Sequence, residues 1–182
     1  MKTLLHSCCA PCASACVPRL KEEGAEVAML FANSNIDTPE EFERRRAEAE
    51  RLARVDGVPF FSLPYDHEDW LRVVAAGLEN EPERGRRCER CYRYNLSRAA
   101  AFAADNGFDA FTTSLTVSPH KPSGTILAIG RAVAAGTPSV AFAERDFKKR
   151  DGFKLSVGRS AELGLYRQNY CGCEFSRRGA GA

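Results

Sequence analysis

Apolar positions along the chain fall into short continuous runs separated by longer stretches of helical period. Thr3-Leu-Leu-His6 is the first run and Glu26-Val-Ala-Met-Leu-Phe31 the second; a run with so few polar side chains predicts a strand covered on both faces of a parallel sheet. Residues 13–23 between them read as a helix stopped at Gly24. Thr38-Pro-Glu-Glu41 has the capping-box pattern, and Phe42, Ala49, Leu52 and Ala53 share one face of the helix it opens, which ends near Gly57. A third strand is expected over 58–63, then a helix capped by Asp66 with Trp70, Leu71, Val74 and Leu78. The pattern breaks over 79–90, a charged run interrupted by Pro82 and Gly85, which predicts an exposed loop delivering Cys88 and Cys91 to the next helix. That helix carries Leu96, Ala99, Phe102 and Ala103 and stops at Asn106-Gly107. A strand over 108–115 follows, then a loop over 118–122 and an apolar helix capped by Ser123 and ended at Gly136. The rest reads as a short strand over 139–143, a charged loop over 144–152, a helix over 156–163 and a closing segment over 165–173.

Strands alternating with helices predict an α/β fold: a doubly wound, mainly parallel sheet with right-handed crossovers. Its cysteine-bearing loops are expected at the carboxyl ends of the strands, where ligands bind in this architecture. Residues 1–176 are read as one domain, with 177–182 as a disordered tail.

The first of these loops holds Cys8, Cys9 and Cys12, and further cysteines stand at 16, 88, 91, 171 and 173. Three ionised thiols in one short loop repel unless a cation neutralises them, so a metal explains them best. Cys88 and Cys91 have the spacing that lets one turn present two thiolates to a metal or cluster. Zinc closes at four ligands, and seven candidate sulfurs exceed that number, so a four-iron cluster with thiols left over fits better. Cys171-Gly-Cys173 is too tight for most structural disulfides; it suits an electron-relaying pair or two ligands to an additional iron. Cys16, one helical turn past Cys12, reads as a packing residue.

Composition narrows the classes. A chain of 182 residues with 8 cysteines does not need disulfide staples to fold, which favours a reducing, cytoplasmic setting. The opening apolar run is too short for a signal peptide or a membrane span, so no membrane partner is expected. A net charge of +2 gives no overall nucleic-acid signal, so any such surface must be local. The candidates are Arg84, Arg86, Arg87, Arg90 and Arg93, and Lys148 to Arg150, with Tyr92 and Tyr94 interleaved. His6, His67 and His120 are weak ligand candidates, of which only His120 is placed to touch a substrate.

Several stretches together carry a resemblance: His6-Ser-Cys-Cys-Ala-Pro-Cys12, Asn33-Ser-Asn-Ile36, Arg87-Cys-Glu-Arg-Cys91, Thr112-Thr-Ser-Leu-Thr-Val-Ser-Pro-His-Lys121, Asp146-Phe-Lys-Lys149 and Leu165-Tyr-Arg-Gln-Asn-Tyr-Cys-Gly-Cys173. In order and over nearly the whole chain, they resemble the epoxyqueuosine reductase family of the QueH type. The resemblance implies a HUP-type α/β fold and an iron-sulfur oxidoreductase. Its substrate would be epoxyqueuosine at the wobble position of tRNA, reduced to queuosine in the last step of queuosine synthesis. It implies Cys8, Cys9, Cys88 and Cys91 as ligands of a [4Fe-4S] cluster, and Cys171 and Cys173 as a redox-active pair able to hold an electron pair as a disulfide. Cys12 falls within the shared motif as a ligand of the cluster or of an additional mononuclear iron. The implied partners are tRNA and an unidentified electron donor, with Tyr92 or Tyr170 stacking on the flipped base and arginines on the phosphates. The competing readings are a zinc-stabilised nucleic-acid-binding module without catalysis and an ATP-dependent RNA-modifying enzyme. The second is disfavoured because cysteines and Pro11 stand where a phosphate loop needs glycines.

Overall fold

A computed structural model describes residues 1–177. Five strands, β1 (Lys2–His6), β2 (Glu26–Phe31), β3 (Phe60–Ser62), β4 (Ala110–Thr113) and β5 (Ala141–Phe142), form one all-parallel sheet in the order β3-β2-β1-β4-β5. The helices α1 (Ala10–Glu22), α2 (Pro39–Asp56), α3 (His67–Trp70), α4 (Arg86–Asp105), α5 (Ser123–Ala135) and α6 (Gly152–Glu162) supply the crossovers and cover.

Alternation along the strands divides the core. Leu5, Met29 and Phe31 pack with Ala13, Val17, Leu52 and Ala53 of α1 and α2. Leu4, Ala28, Leu30 and Phe111 pack on the other face with Leu96, Ala99, Ile126 and Ile129 of α4 and α5. Each large side chain removed from water in this way contributes about 1.5–3 kcal/mol. The chain winds outward from β1 through β2 to β3, then crosses back to β4 and β5. The order therefore reverses beside β1, and a crevice opens at the carboxyl ends of β1 and β4.

The structure redraws several predicted boundaries. α1 begins at Ala10 rather than 13, because Pro11 fits its first turn and Cys9 is the extended N-cap. β3 shrinks to Phe60–Ser62, since the Val58 N–H turns back to Ala53 O at the end of α2. β4 stops at Thr113, whose Oγ1 accepts the Leu115 N–H and turns the chain into a 3-10 turn, Ser114–Val117. The helix after Asp66 passes from α3 into a π-turn over Leu71–Ala75 and ends before reaching Leu78. Ser123 is not the cap of α5; Pro122 is, and Ser123 Oγ donates to Asp146 Oδ1. α6 starts at Gly152, ahead of the predicted 156. Cys88 and Cys91 lie in the first turns of α4 as expected, but that helix already begins at Arg86, inside the stretch read as a loop over 79–90. Apart from Arg177, which pairs with Asp37, the expected tail lies outside the described residues. Among the described residues no helix is long and apolar enough to cross a membrane.

Candidate metal centre and active site

Where β1 ends, Asn33 Nδ2 donates to Ser7 O at 2.8 Å and the Cys8 N–H donates to Ser114 Oγ at 3.0 Å, tying the turn to the loops after β2 and β4. Ser114 Oγ in turn donates to Cys8 Sγ at 3.2 Å. Cys9 as N-cap and Cys12 in the first turn of α1 present sulfur on the same side, and the Sγ atoms of Cys8, Cys9 and Cys12 all lie within 4.8 Å of one another.

These thiols titrate as a group. Hydrogen bonds from Cys12 and Cys8 hold the Cys9 thiol well below its usual range despite burial. Cys12 pulls the Cys8 thiol down, but Cys9 and burial raise it further, to about 12. Cys12 is driven well above the usual range by Cys8, Cys9 and burial. Three sulfurs this close favour one thiolate over several, and a cation held among them could neutralise more.

α4 brings the second pair. Cys88 Sγ accepts the Arg84 N–H at 3.2 Å, and Arg84 takes a left-handed conformation, φ 71°. Asn95 Nδ2 lies 3.7 Å from Cys91 Sγ. Burial raises both thiols, with the Cys171 sulfur adding to the effect.

The third segment is a strap laid over the site. Arg45 Nη1 donates to Cys171 O and the Asp37 N–H to Gly172 O, both at 2.9 Å. The Asp37 carboxylate accepts from Tyr170 Oη at 2.8 Å and pairs with Arg177. Gly172 has φ 145°, and a Cβ there would stand 3.0 Å from Asn35 Nδ2, so glycine is required between the two cysteines. Cys171 is exposed; Cys173 packs, like Cys91 and Phe175, against the small cluster of Trp70, Val74 and Ala75, and burial raises its thiol to about 11.

Cys8, Cys9, Cys12, Cys88, Cys91 and Cys171 line one cavity of about 390 Å³ in the β1–β4 crevice, whereas Cys173 is not among its lining residues. The fold thus brings three distant cysteine segments together. All eight cysteines are free thiols, so the pair 171/173 forms no disulfide here. Cys16 is buried in the core and donates to Cys12 O at 3.3 Å.

Other expected residues fall differently. His6 is buried and neutral: burial, against an opposing Asn33 contact, lowers it to about 4, and its Nδ1 lies 3.0 Å from Thr113 Oγ1. His67 is fixed to Ser34 O, and His120 stands exposed at the cavity. Tyr92 is only 5% exposed and serves as cavity wall rather than a free stacking platform; Tyr170 is committed to Asp37. Arg87 cannot meet phosphates from the surface, because it is buried, donating to Leu78 O, Glu79 O and Glu81 O. Nothing in the sequence singled out Gln168, Arg167 and Phe153 in the cavity lining, Ser114 as a donor to Cys8 Sγ, or a role for Lys121. Burial works against the Lys121 ammonium, but the Cys171, Cys8 and Cys12 sulfurs more than offset it and hold its pKa well above the ordinary lysine range.

Residues 3–179 match the family model described as epoxyqueuosine reductase QueH. The chain belongs to this family. It is 36% identical over 177 residues to the epoxyqueuosine reductase QueH of Acinetobacter baylyi, covering 97% of this chain and 81% of that protein. It is 37% identical to the Streptococcus pyogenes member (96% and 70%) and 33% identical to that of Thermotoga maritima (95% and 88%). Among solved structures, the U34-tRNA thiolase NcsA from Methanococcus maripaludis with its [4Fe-4S] cluster superposes with a TM-score of 0.61 at 10% identity, covering 98% of this chain and 62% of that one. A "predicted subunit of tRNA methyltransferase" from Methanocaldococcus jannaschii gives a TM-score of 0.57 at 12% identity, covering 89% and 76%. At these identities the likeness establishes the Rossmann/HUP-like fold and nothing further.

Proposed function

We propose that the chain is an oxidoreductase that reduces epoxyqueuosine to queuosine at the wobble position of tRNA, in a reducing, cytoplasmic setting. The observation that carries this is the cavity itself, where family motifs from three distant segments aim six sulfurs at one space.

The donor set fits an iron-sulfur cofactor. Cys8, Cys9 and Cys12 stand close enough to share a metal, and Cys88 and Cys91 face the same cavity from α4. We assign Cys8, Cys9, Cys88 and Cys91 to a [4Fe-4S] cluster, with Cys12 on the cluster or on an adjacent iron. Bound there, such a group supplies electrons and a Lewis-acidic iron for the epoxide oxygen.

The chain's own residues supply the rest. Removing the epoxide oxygen as water consumes an electron pair and a pair of protons. Lys121 places a cation, and a proton at Nζ, in the cavity where negative charge grows on the departing oxygen. The strap closes one side of the cavity and sets Cys171 at its edge, where an external donor reaches it. Cys171 and Cys173 then act as the relay, two thiols giving up the electron pair as they join in a disulfide and being reduced again from outside.

The test is anaerobic incubation of iron-loaded protein with tRNA carrying epoxyqueuosine and a chemical reductant, followed by mass analysis of the released nucleosides. Conversion to queuosine is expected; unchanged epoxyqueuosine with iron-loaded protein contradicts the proposal.

A further inference from the structure

On α2, Arg45 pairs with Glu41 at 2.6 Å, Arg46 with Glu43 and Glu50, and Arg51 with Glu48, while Arg44 lies over the Tyr166 ring. The arginines that line the cavity have no such partner. Arg84 and Arg167 line the cavity together with Glu83 but form no ion pair with it, Lys149, Arg150 and Lys154 lie exposed within four residues of Phe153 in sequence, and none of these five cations forms an ion pair among the described residues.

Amid these charges stands an aromatic ring with no packing explanation. Phe153 is 39% exposed, yet it lines the same cavity as the cysteines. The loop before it is firmly braced. Arg19 Nη1 donates to Phe147 O at 3.0 Å and Lys149 O at 2.9 Å, and Gly152 passes so near Phe147 that a Cβ there would meet its carbonyl oxygen at 1.6 Å. Arg150 and Asp151 both take left-handed conformations, φ 57° and 58°, a strain for non-glycine residues that only the surrounding contacts can hold. Surrounding contacts therefore fix where Phe153 stands in the first turn of α6.

An exposed ring set among uncompensated cations matches single-stranded nucleic acid, in which unstacked bases meet aromatic faces and phosphates meet arginine and lysine. We infer that this rim seats the anticodon loop: Phe153 stacks on a nucleotide beside the wobble base, and Arg84, Arg167, Lys149 and Arg150 hold the flanking phosphates while the wobble base enters the cavity. The inference rests on the reductase function proposed above and adds the surface through which the RNA is held.

The test uses iron-loaded full-length protein and a fluorescently labelled anticodon stem-loop RNA, with affinity read by anisotropy across a salt series. Phe153→Ala is expected to weaken binding about tenfold with the salt slope unchanged, while Phe153→Trp keeps the affinity. Lys149→Ala with Arg150→Ala is expected to flatten the salt slope by about 0.7 for each phosphate no longer neutralised. Arg46→Ala, at an ion-paired position of α2, should change neither. Should Phe153→Ala and the double variant bind like the wild type while the wild type reduces epoxyqueuosine in tRNA, the inference alone fails. A wild type that neither binds the stem-loop nor reduces the tRNA overturns the inference and the reductase reading together.

Discussion

The cysteines at the two ends of the chain reach the same cavity by opposite means. Cys8, Cys9 and Cys12 are gathered by local structure: a buried strand ends, a proline-bearing helix begins, and three sulfurs fall together in one turn. Cys171 and Cys173 depend on borrowed contacts, the strap being held by Asp37 from the loop after β2 and by Arg45 from α2. The first group sets Cys9 buried between half-buried Cys8 and Cys12, whereas the second keeps Cys171 open to solvent. Under the proposed function the site would both hold a metal and exchange electrons with a donor, which calls for both kinds of thiol, and the fold keeps the two on separate supports.

The comparison breaks most sharply at the triad. Replacing Cys8, Cys9 or Cys12 by Ser is expected to remove bound iron and lower reduction of epoxyqueuosine at least about a hundredfold, read by iron analysis and nucleoside mass. Cys171→Ser should keep its iron and lose about tenfold or more in turnover. Full turnover of that variant with an external reductant would remove the relay role.

Two smaller effects sharpen the contrast. His6 lies beneath the triad with its folded pKa lowered from 6.5 to about 4, so the unfolded chain binds more protons between those values. Stability from this group is fully present above pH 6.5 and is lost as pH falls toward about 4, by roughly 3 kcal/mol at about 1.4 kcal/mol per pH unit. The strap responds later. Burial raises the Asp37 carboxyl, but Arg177 and Tyr170 outweigh it and hold the group below its usual 3.8, so its anchoring is present above that value and fails only as pH falls below it. Denaturant melts of the wild type and His6→Asn across pH 7 to 4 check the first step; a parallel loss in both proteins contradicts it. Gly172→Ala, forced into a left-handed backbone beside Asn35, should cost about 1–3 kcal/mol locally and slow turnover while leaving iron content unchanged.

The same division governs what could be read from sequence. The triad was legible because its chemistry is local: adjacent cysteines after an apolar run and before Pro11 announce a strand-to-helix turn. The doubly wound sheet was legible for a similar reason, since β1 and β2 are nearly continuous apolar runs and Thr38 and Asp66 do cap the helices they precede. The start of α4 was not, because Gly85 caps it without a side-chain bond and arginine-rich sequence looks alike in loop and helix. Nor was the burial of Arg87, which depends on three carbonyls brought in by a neighbouring turn. Gln168, Phe153 and Arg167 join the cavity only through tertiary packing, and no periodicity along the chain marks them.

The central claim is that these separated thiols build one iron-sulfur site. Anaerobic purification followed by iron, sulfide and zinc analysis with a visible spectrum tests it most directly. The account predicts about four irons and about four sulfides per chain with thiolate-to-iron absorption, any iron in excess of sulfide marking an adjacent ion. A colourless protein carrying a single zinc contradicts it.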